Sequence, residues 1–243
     1  MTTYDELTHQ THINILKTIV LQPRSLTDIA TLLRTSRPEI SRHLARLREL
    51  TLVEKDDNLN RITALGELIL EILSPLDFII QHYGFFKDHP FINFPSEFLH
   101  GINRLQDSQL IVGTGHIFQK AIEVARTSHV KLKLMVNTPM PNIAGVFYEE
   151  GQLIIPMEAP SSILTHENLS KDLKSYEIRK FSDEINYSIG IIDHRCGFIH
   201  FPDKNGLPDM NACFFVDSDD GMDYLLSLWD YYWEKSSVFL RYP

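Results

Sequence analysis

Cysteine is all but missing from this chain, with Cys196 and Cys213 the two in 243 residues. A single pair builds no disulfide framework and lacks the second pair a four-ligand structural zinc site needs, so both read as buried thiols. Also missing is any apolar run near the roughly 20 residues of a membrane helix. The opening MTTYDELTHQ has neither the basic start nor the apolar stretch of a signal peptide. These absences predict a cytoplasmic chain with no membrane partner. No internal repeat or low-complexity segment occurs. Positive charge is scarce too, 23 Lys and Arg against 32 Asp and Glu for a net of −9, which opposes indiscriminate sticking to polyanions. What remains, 43% hydrophobic and 23% charged, is the composition of a globular protein.

The scarce cations are concentrated. Residues 1–62 hold nine Lys and Arg against eight Asp and Glu, net +1, whereas residues 63–243 hold 14 against 24, net −10. Between 24 and 48 six arginines (Arg24, Arg34, Arg37, Arg42, Arg46, Arg48) meet only Asp28 and Glu39. A basic island on an acidic body suits a surface that meets a polyanion while the rest stays aloof.

Local patterning places that island on a helix. Leu7, Ile13, Leu16, Ile19 and Val20 share one helical face that ends before Pro23. Ser25 then caps a short second helix, with Asp28 three residues on, where a carboxylate favours a helix N-terminus. Ser36 precedes Glu39 at capping-box spacing and Pro38 falls in the first turn, so a third helix covers 36–49. Within it Ile40, Leu44 and Leu47 stand at i, i+4 and i+7, which leaves Arg37, Ser41, Arg42, Ala45 and Arg46 on other sides. A strand over 52–55, a polar turn through Asp56, Asp57 and Asn58, and a return strand ending near Thr63 complete the order helix, helix, helix, hairpin.

The stretch SLTDIATLLRTSRPEISRHLARLRELTLVEK resembles the ArsR-type winged helix of prokaryotic transcription regulators. The resemblance implies that helix 36–49 enters the major groove of double-stranded DNA while the hairpin contacts the flanking backbone. On that basis Ser36, Arg37, Ser41, Arg42 and Arg46 are the groove candidates, and Lys55, Asn58, Asn60 and Arg61 the wing candidates. Two departures stand out: Thr51 sits where the family has glycine, and the wing tip EKDDNLNR is acidic. A solvated arginine face without DNA is the bland alternative.

Beyond Thr63 the run ALGELILEILSPLDFIIQHYGFF predicts a long helix that Pro75 kinks or breaks. Strand 109–112, helix 117–126 and strand 130–136 form a strand-helix-strand unit, which implies parallel pairing. Further strands are expected at 152–156, 176–181, 188–195, 196–202 and 212–217, followed by a closing helix drawn to residue 239 and capped by Ser218 or Asp219. The segments FINFPSEFLHGINRL, GIIDHRCGFIHFPD and LSLWDYYWEKS resemble the effector domain of the archaeal FilR family of methanogenesis and filament-formation regulators. That domain is similar in plan to a phospholipase D-like sensor domain. The fold class expected is therefore α/β overall, with a winged helix-turn-helix at 1–63, a linker helix and connection at 64–94, and an α/β effector and dimerisation domain with a mixed sheet at 95–243.

Chemistry in the second half is sparse. A phospholipase D-type site needs an acid five residues beyond the Lys of a His-x-Lys pair, and after His129 and Lys131 that place is held by Val136. Gly113, Thr114, Gly115 and His116 join a strand to a helix and could present amides to a small anionic effector, although a plain tight turn explains them as well. Asp193, His194, Cys196 and His200 invite a metal, but alternation along a hairpin separates them. No catalytic residue, metal or cofactor is expected. The reading is a homodimeric transcription regulator with a small-molecule effector domain. The dimer is assigned to the stripe Leu225, Leu228, Trp229, Tyr232 and Trp233 or, if that stripe covers the domain's own sheet, to the linker helix around 68–80. An enzyme of phosphodiester or nucleotide chemistry, and a protein-interaction adaptor, are the alternatives.

Overall fold

The structure is a computed structural model that describes residues 3–125, 130–137, 148–158 and 175–242. It divides into two compact units, Met1–Gln81 and His82–Pro243.

The first unit runs α1 (Thr3–Leu7), α2 (Gln10–Ile19), β1 (Arg24–Ser25), α3 (Leu26–Leu32), α4 (Arg37–Glu49), β2 (Val53–Asp56), β3 (Leu59–Ile62) and α5 (Ala64–Gln81), its strands ordered β1-β3-β2. Two caps start the central helices. At α3 the box is reciprocal, with the Asp28 amide donating to Ser25 Oγ at 3.2 Å and the Ser25 amide to Asp28 Oδ2 at 3.3 Å. At α4 the cap is one-sided: the Glu39 amide reaches Ser36 Oγ at 3.4 Å, and no return bond from Glu39 forms. Ile40, Leu44 and Leu47 are buried with Ile13, Ile15, Leu16, Ile19 and Ile29 in one core. Each such side chain contributes about 1.5–3 kcal/mol.

The departure at Thr51 takes a strained form. Its φ is +59°, a left-handed conformation that suits glycine and costs a β-branched residue about 1–3 kcal/mol. Fastenings hold it there, since the Thr51 amide bonds to Arg48 O and Thr63 Oγ1 donates to Thr51 O at 2.6 Å.

Of the kink or break expected at Pro75 the break does not occur: α5 runs on through it and ends at Gln81. Proline removes an amide rather than adding a buried one, and beside it Ser74 Oγ donates to Leu70 O at 2.6 Å. The helix is fastened to the rest of the first unit at two places. Near its start Gly66 leaves no room for a side chain, because a Cβ there would lie 2.2 Å from Leu52 O. Near its end Asp77, its side chain 1% exposed, accepts from Lys17 Nζ at 2.6 Å, Gln10 Nε2 at 3.0 Å and Gln81 Nε2 at 2.8 Å.

The second unit is an eight-stranded mixed sheet in the order β11-β7-β6-β5-β8-β9-β10-β4, with α6 (Tyr83–Phe86), α7 (Ser96–Leu99), α8 (Thr114–Ala125) and α9 (Asp219–Lys235). Its strands are β4 (Gln109–Val112), β5 (Val130–Met135), β6 (Tyr148–Pro156), β7 (Ser175–Phe181), β8 (Ser188–Ile192), β9 (Cys196–His200), β10 (Ala212–Val216) and β11 (Ser237–Tyr242). Strands β4 and β5 are not partners, contrary to the strand-helix-strand expectation. Three antiparallel strands, β8, β9 and β10, stand between them, and β5 pairs in parallel with β6 instead.

The closing helix is also shorter than its pattern suggested. It is capped by Ser218, ends at Lys235, and hands Ser237–Tyr242 to an edge strand on β7. Ser236 Oγ bonds back to Trp233 O at 2.8 Å, and the Val238-Phe239-Leu240 run that follows prefers a strand. Leu225, Leu228, Trp229 and Tyr232 are buried within this unit, so the aromatic stripe covers the chain's own sheet. Phe85, Phe86, Phe91, Phe94, Phe201 and Phe214 form a second aromatic packing group, with ring centroids 5.1–6.1 Å apart.

Candidate nucleic-acid interface

The buried row of α4 decides what the helix displays. At 3.6 residues per turn, Arg42 falls nearly opposite Ile40, Leu44 and Leu47, with Pro38, Ala45, Arg46 and Glu49 around it. Ser36, Arg37, Ser41, Arg42 and Arg46 are all exposed. Neither Arg37 nor Arg42 has an ion pair among the described residues. Arg46 is engaged at 2.8 Å by Glu49 and at 3.9 Å by Glu6, which raises its already high pKa through the Glu49 hydrogen bond. Ser36 spends its oxygen on the cap and keeps a hydroxyl hydrogen to donate.

The wing divides differently from expectation. Lys55 and Asn58 are exposed, and Arg61 is exposed but paired with Asp56 at 3.1 Å. Asn60 is 3% exposed and cannot reach a ligand. Its Oδ1 accepts from Arg48 Nη1 at 3.2 Å and its Nδ2 donates to Arg24 O at 3.1 Å, so it clips the last turn of α4 to the small sheet. Strand β3 lies between β1 and β2, and the alternation of its side chains turns Asn60 inward while Arg61 points out. Arg48 is thereby withdrawn from the displayed set.

Residues the sequence reading passed over meet beside α4. His9 caps α2, His12 lies on its first turn, and His43 projects from α4; their ring centroids are 5.0, 5.1 and 5.0 Å apart. Their candidate ligand atoms all lie within 4.8 Å of one another. His12 Nδ1 stands 2.6 Å from Glu6 O, and a carbonyl only accepts, so Nδ1 carries the proton. Burial is the main cause that holds the His12 and His43 rings below the ordinary histidine pKa and hence neutral. The signal was HQTH, two histidines three apart at a helix start, but their third member is 31 residues further along the chain.

The second unit offers less. At the β4–α8 turn Gly113 has φ +103°, and the amides of Gly113, Thr114 and His116, three of those proposed to receive an anion, are in use. The Gly113 amide donates to Asn211 O at 2.7 Å and the Thr114 amide to Asn211 Oδ1 at 3.1 Å, while His116 Nδ1 bonds to Val112 O at 3.0 Å. Gly113, Thr114, Gly115 and His116 thus form a tight turn closed by Asn211. His129 lies outside the described residues, Lys131 pairs with Glu150 at 2.9 Å, and Val136 is buried. Asp193 Oδ1 accepts from the Lys131 amide at 2.7 Å, and His200 is turned to the Asp209 and Ala212 carbonyls. Burial pushes the Cys196 thiol up to about 11 and that of Cys213 to about 12, which leaves neither as a thiolate nucleophile. A cleft remains whose lining includes Lys131, Lys133, Glu150, Glu177, His194 and Arg241 beside Leu132 and Tyr176. No described helix is long and apolar enough to cross a membrane.

Residues 9–55 match the family model for bacterial regulatory proteins of the arsR family, 47 of the chain's 243 residues. No curated protein matches the chain. Among solved structures the chain is similar to TrmBL2, an archaeal chromatin protein described as showing a novel mode of DNA binding, at 12% identity over 98% of this chain and 100% of that one, TM-score 0.37. It is also similar to an O-methyltransferase family protein from Burkholderia thailandensis, at 12% identity over 74% of this chain and 61% of that one, TM-score 0.31. A third is CalO1, a methyltransferase in calicheamicin biosynthesis, at 11% identity over 73% and 61%, TM-score 0.24.

Proposed function

We propose that the chain is a DNA-binding transcription regulator that reads double-stranded DNA as a homodimer, with the second unit as its effector domain. The observation that carries the reading is the exposed face of α4, where Arg42 stands opposite the buried row in a segment that matches the arsR family model. Arg37, Ser41, Arg42 and Arg46 are the groove set, and Ser36, Lys55, Asn58 and Arg61 the phosphate set; Asn60 is withdrawn to a structural role. Arg61 can leave Asp56, since an exposed ion pair is worth only about 0–1 kcal/mol. The resemblance to FilR-type archaeal regulators supports a sensing role for the second unit, and the cleft beside Lys131, Glu177 and Arg241 replaces the β4–α8 turn as the place for a small effector.

One α4 spans only a few base pairs, so a two-fold dimer reading two half-sites about one helical turn apart is the economical arrangement. With the α9 stripe buried, the pairing surface moves to α5, where Leu65, Leu68, Ile72, Leu76 and Ile80 are exposed at 41–60%. Large apolar residues at this spacing form a stripe of the kind that helix pairs bury.

Sedimentation and duplex binding test both halves of the proposal. The wild-type chain is expected to sediment as a dimer and to enrich an inverted repeat from a random duplex pool. Leu68→Glu with Ile72→Glu is expected to give a folded monomer that loses most of that affinity. A variant that stays dimeric would remove α5 from the interface, and a wild-type chain that enriches no sequence would remove specific DNA reading.

A further inference from the structure

We propose that His9, His12 and His43 form a binding site for a divalent transition-metal ion of the zinc class, which ties α2 to α4. Three features of the cluster carry this. His12 is 1% exposed and its Nε2 has no hydrogen-bond partner among the described residues, although a buried acceptor left bare is destabilising. With Nδ1–H given to the Glu6 carbonyl, the lone pair on Nε2 is free, which is how metal-bound histidines are commonly held, by a hydrogen bond from the other ring nitrogen to a carbonyl or carboxylate. The Glu6 carboxylate lies 3.7 Å from the same Nδ1, in position to steady the ring.

The second feature is convergence. Tetrahedral coordination at about 2.0–2.1 Å per nitrogen puts donor atoms roughly 3.3 Å apart, so atoms within 4.8 Å need close by no more than about 1.5 Å, within the reach of side-chain rotation. The third is the donor chemistry. Three imidazole nitrogens select Zn²⁺, Ni²⁺ or Cu²⁺ over Mg²⁺ and Ca²⁺, which take oxygen ligands. Water fills the fourth position, because no further Cys, His or acidic side chain joins the cluster among the described residues. His9 pays a small part of the cost: its Nδ1 accepts from the Thr11 amide at 3.2 Å, and ligation gives up or retautomerises that cap.

The experiment uses the full chain freed of metal with a chelator. Co²⁺ titration is expected to give the visible absorption of tetrahedral nitrogen ligation at one ion per chain, and Zn²⁺ to displace it and raise the thermal midpoint. His9→Gln and His43→Gln lie at half-buried positions and keep the fold, so they are the informative variants; His12→Ala removes a core side chain as well. Each Gln variant is expected to weaken Co²⁺ binding by more than about 100-fold and to lose the Zn²⁺-dependent thermal shift. A chain that shows no tetrahedral Co²⁺ band overturns the proposal. So does binding unchanged in both Gln variants, which would place the ion among the other histidines of the 11 present.

Discussion

Arg42→Ala is expected to weaken binding to a selected duplex tenfold or more while leaving the melting temperature where it was. The side chain is exposed, has no ion pair among the described residues, and stands opposite the buried row of α4. One well-formed bidentate contact to a guanine edge is worth about 1–3 kcal/mol of discrimination, and about 1.4 kcal/mol is a factor of ten. Its removal from solvent-facing helix surface changes stability by no more than about 0.5 kcal/mol. Lys55→Ala provides the contrast. Removing a wing lysine that meets phosphate lowers affinity for all sequences alike and flattens the salt dependence by about one unit of slope. Equal losses on selected and random duplexes for Arg42→Ala would reduce it to a phosphate contact, and no loss at all would remove α4 from the interface.

Asp77→Ala is expected to destabilise the first unit by about 3 kcal/mol. Asp77 is the shared acceptor for Lys17, Gln10 and Gln81, and with it gone a partly buried ammonium and the Gln81 amide lose this partner together, while Gln10 keeps Asn14 Oδ1 at 3.2 Å. Breaking a buried ion pair from one side costs about 3–5 kcal/mol; Lys17, with its side chain 30% exposed, recovers some hydration and sets the lower end. For a unit of this size that lowers the melting temperature by more than roughly 10 °C. The double replacement Lys17→Met with Asp77→Leu, which removes both charges, should recover most of the loss. A single variant that costs less than about 1 kcal/mol, by calorimetry or urea melts, would mean the α2–α5 junction rests on packing alone.

How much of this was legible in the sequence depends on whether the cause is local. The start of α4 was, because Ser36 and Pro38 act within one turn, and so was its buried row at 40, 44 and 47. The strands at 109–112 and 176–181 were also readable, from short apolar or alternating runs. Strand order was not: β4 and β5 flank α8 in sequence, but β8, β9 and β10 pair between them through hydrogen bonds that no local pattern encodes. The end of α9 was misread because Phe239 falls on the helical face of Leu228 and Tyr232, in a segment whose backbone pairs with β7. At the candidate interface the exposed arginines were found by elimination from the apolar row. Asn60 was misplaced because its inward turn depends on β1, a two-residue strand at Arg24–Ser25 that has no sequence signature. The histidine cluster was missed for the same reason, since α2 and α4 bring its members together only in the folded unit.

Guanine-methylation interference on a selected duplex tests the entry of α4 into the major groove most directly, because N7 of guanine lies in that groove and N3 of adenine in the minor one. If α4 is the reading helix, methylated guanines block binding in two major-groove segments about one helical turn apart, and Arg42→Ala relieves the block at a guanine in each. Interference confined to adenine N3, or absent from both grooves while binding persists, would contradict it.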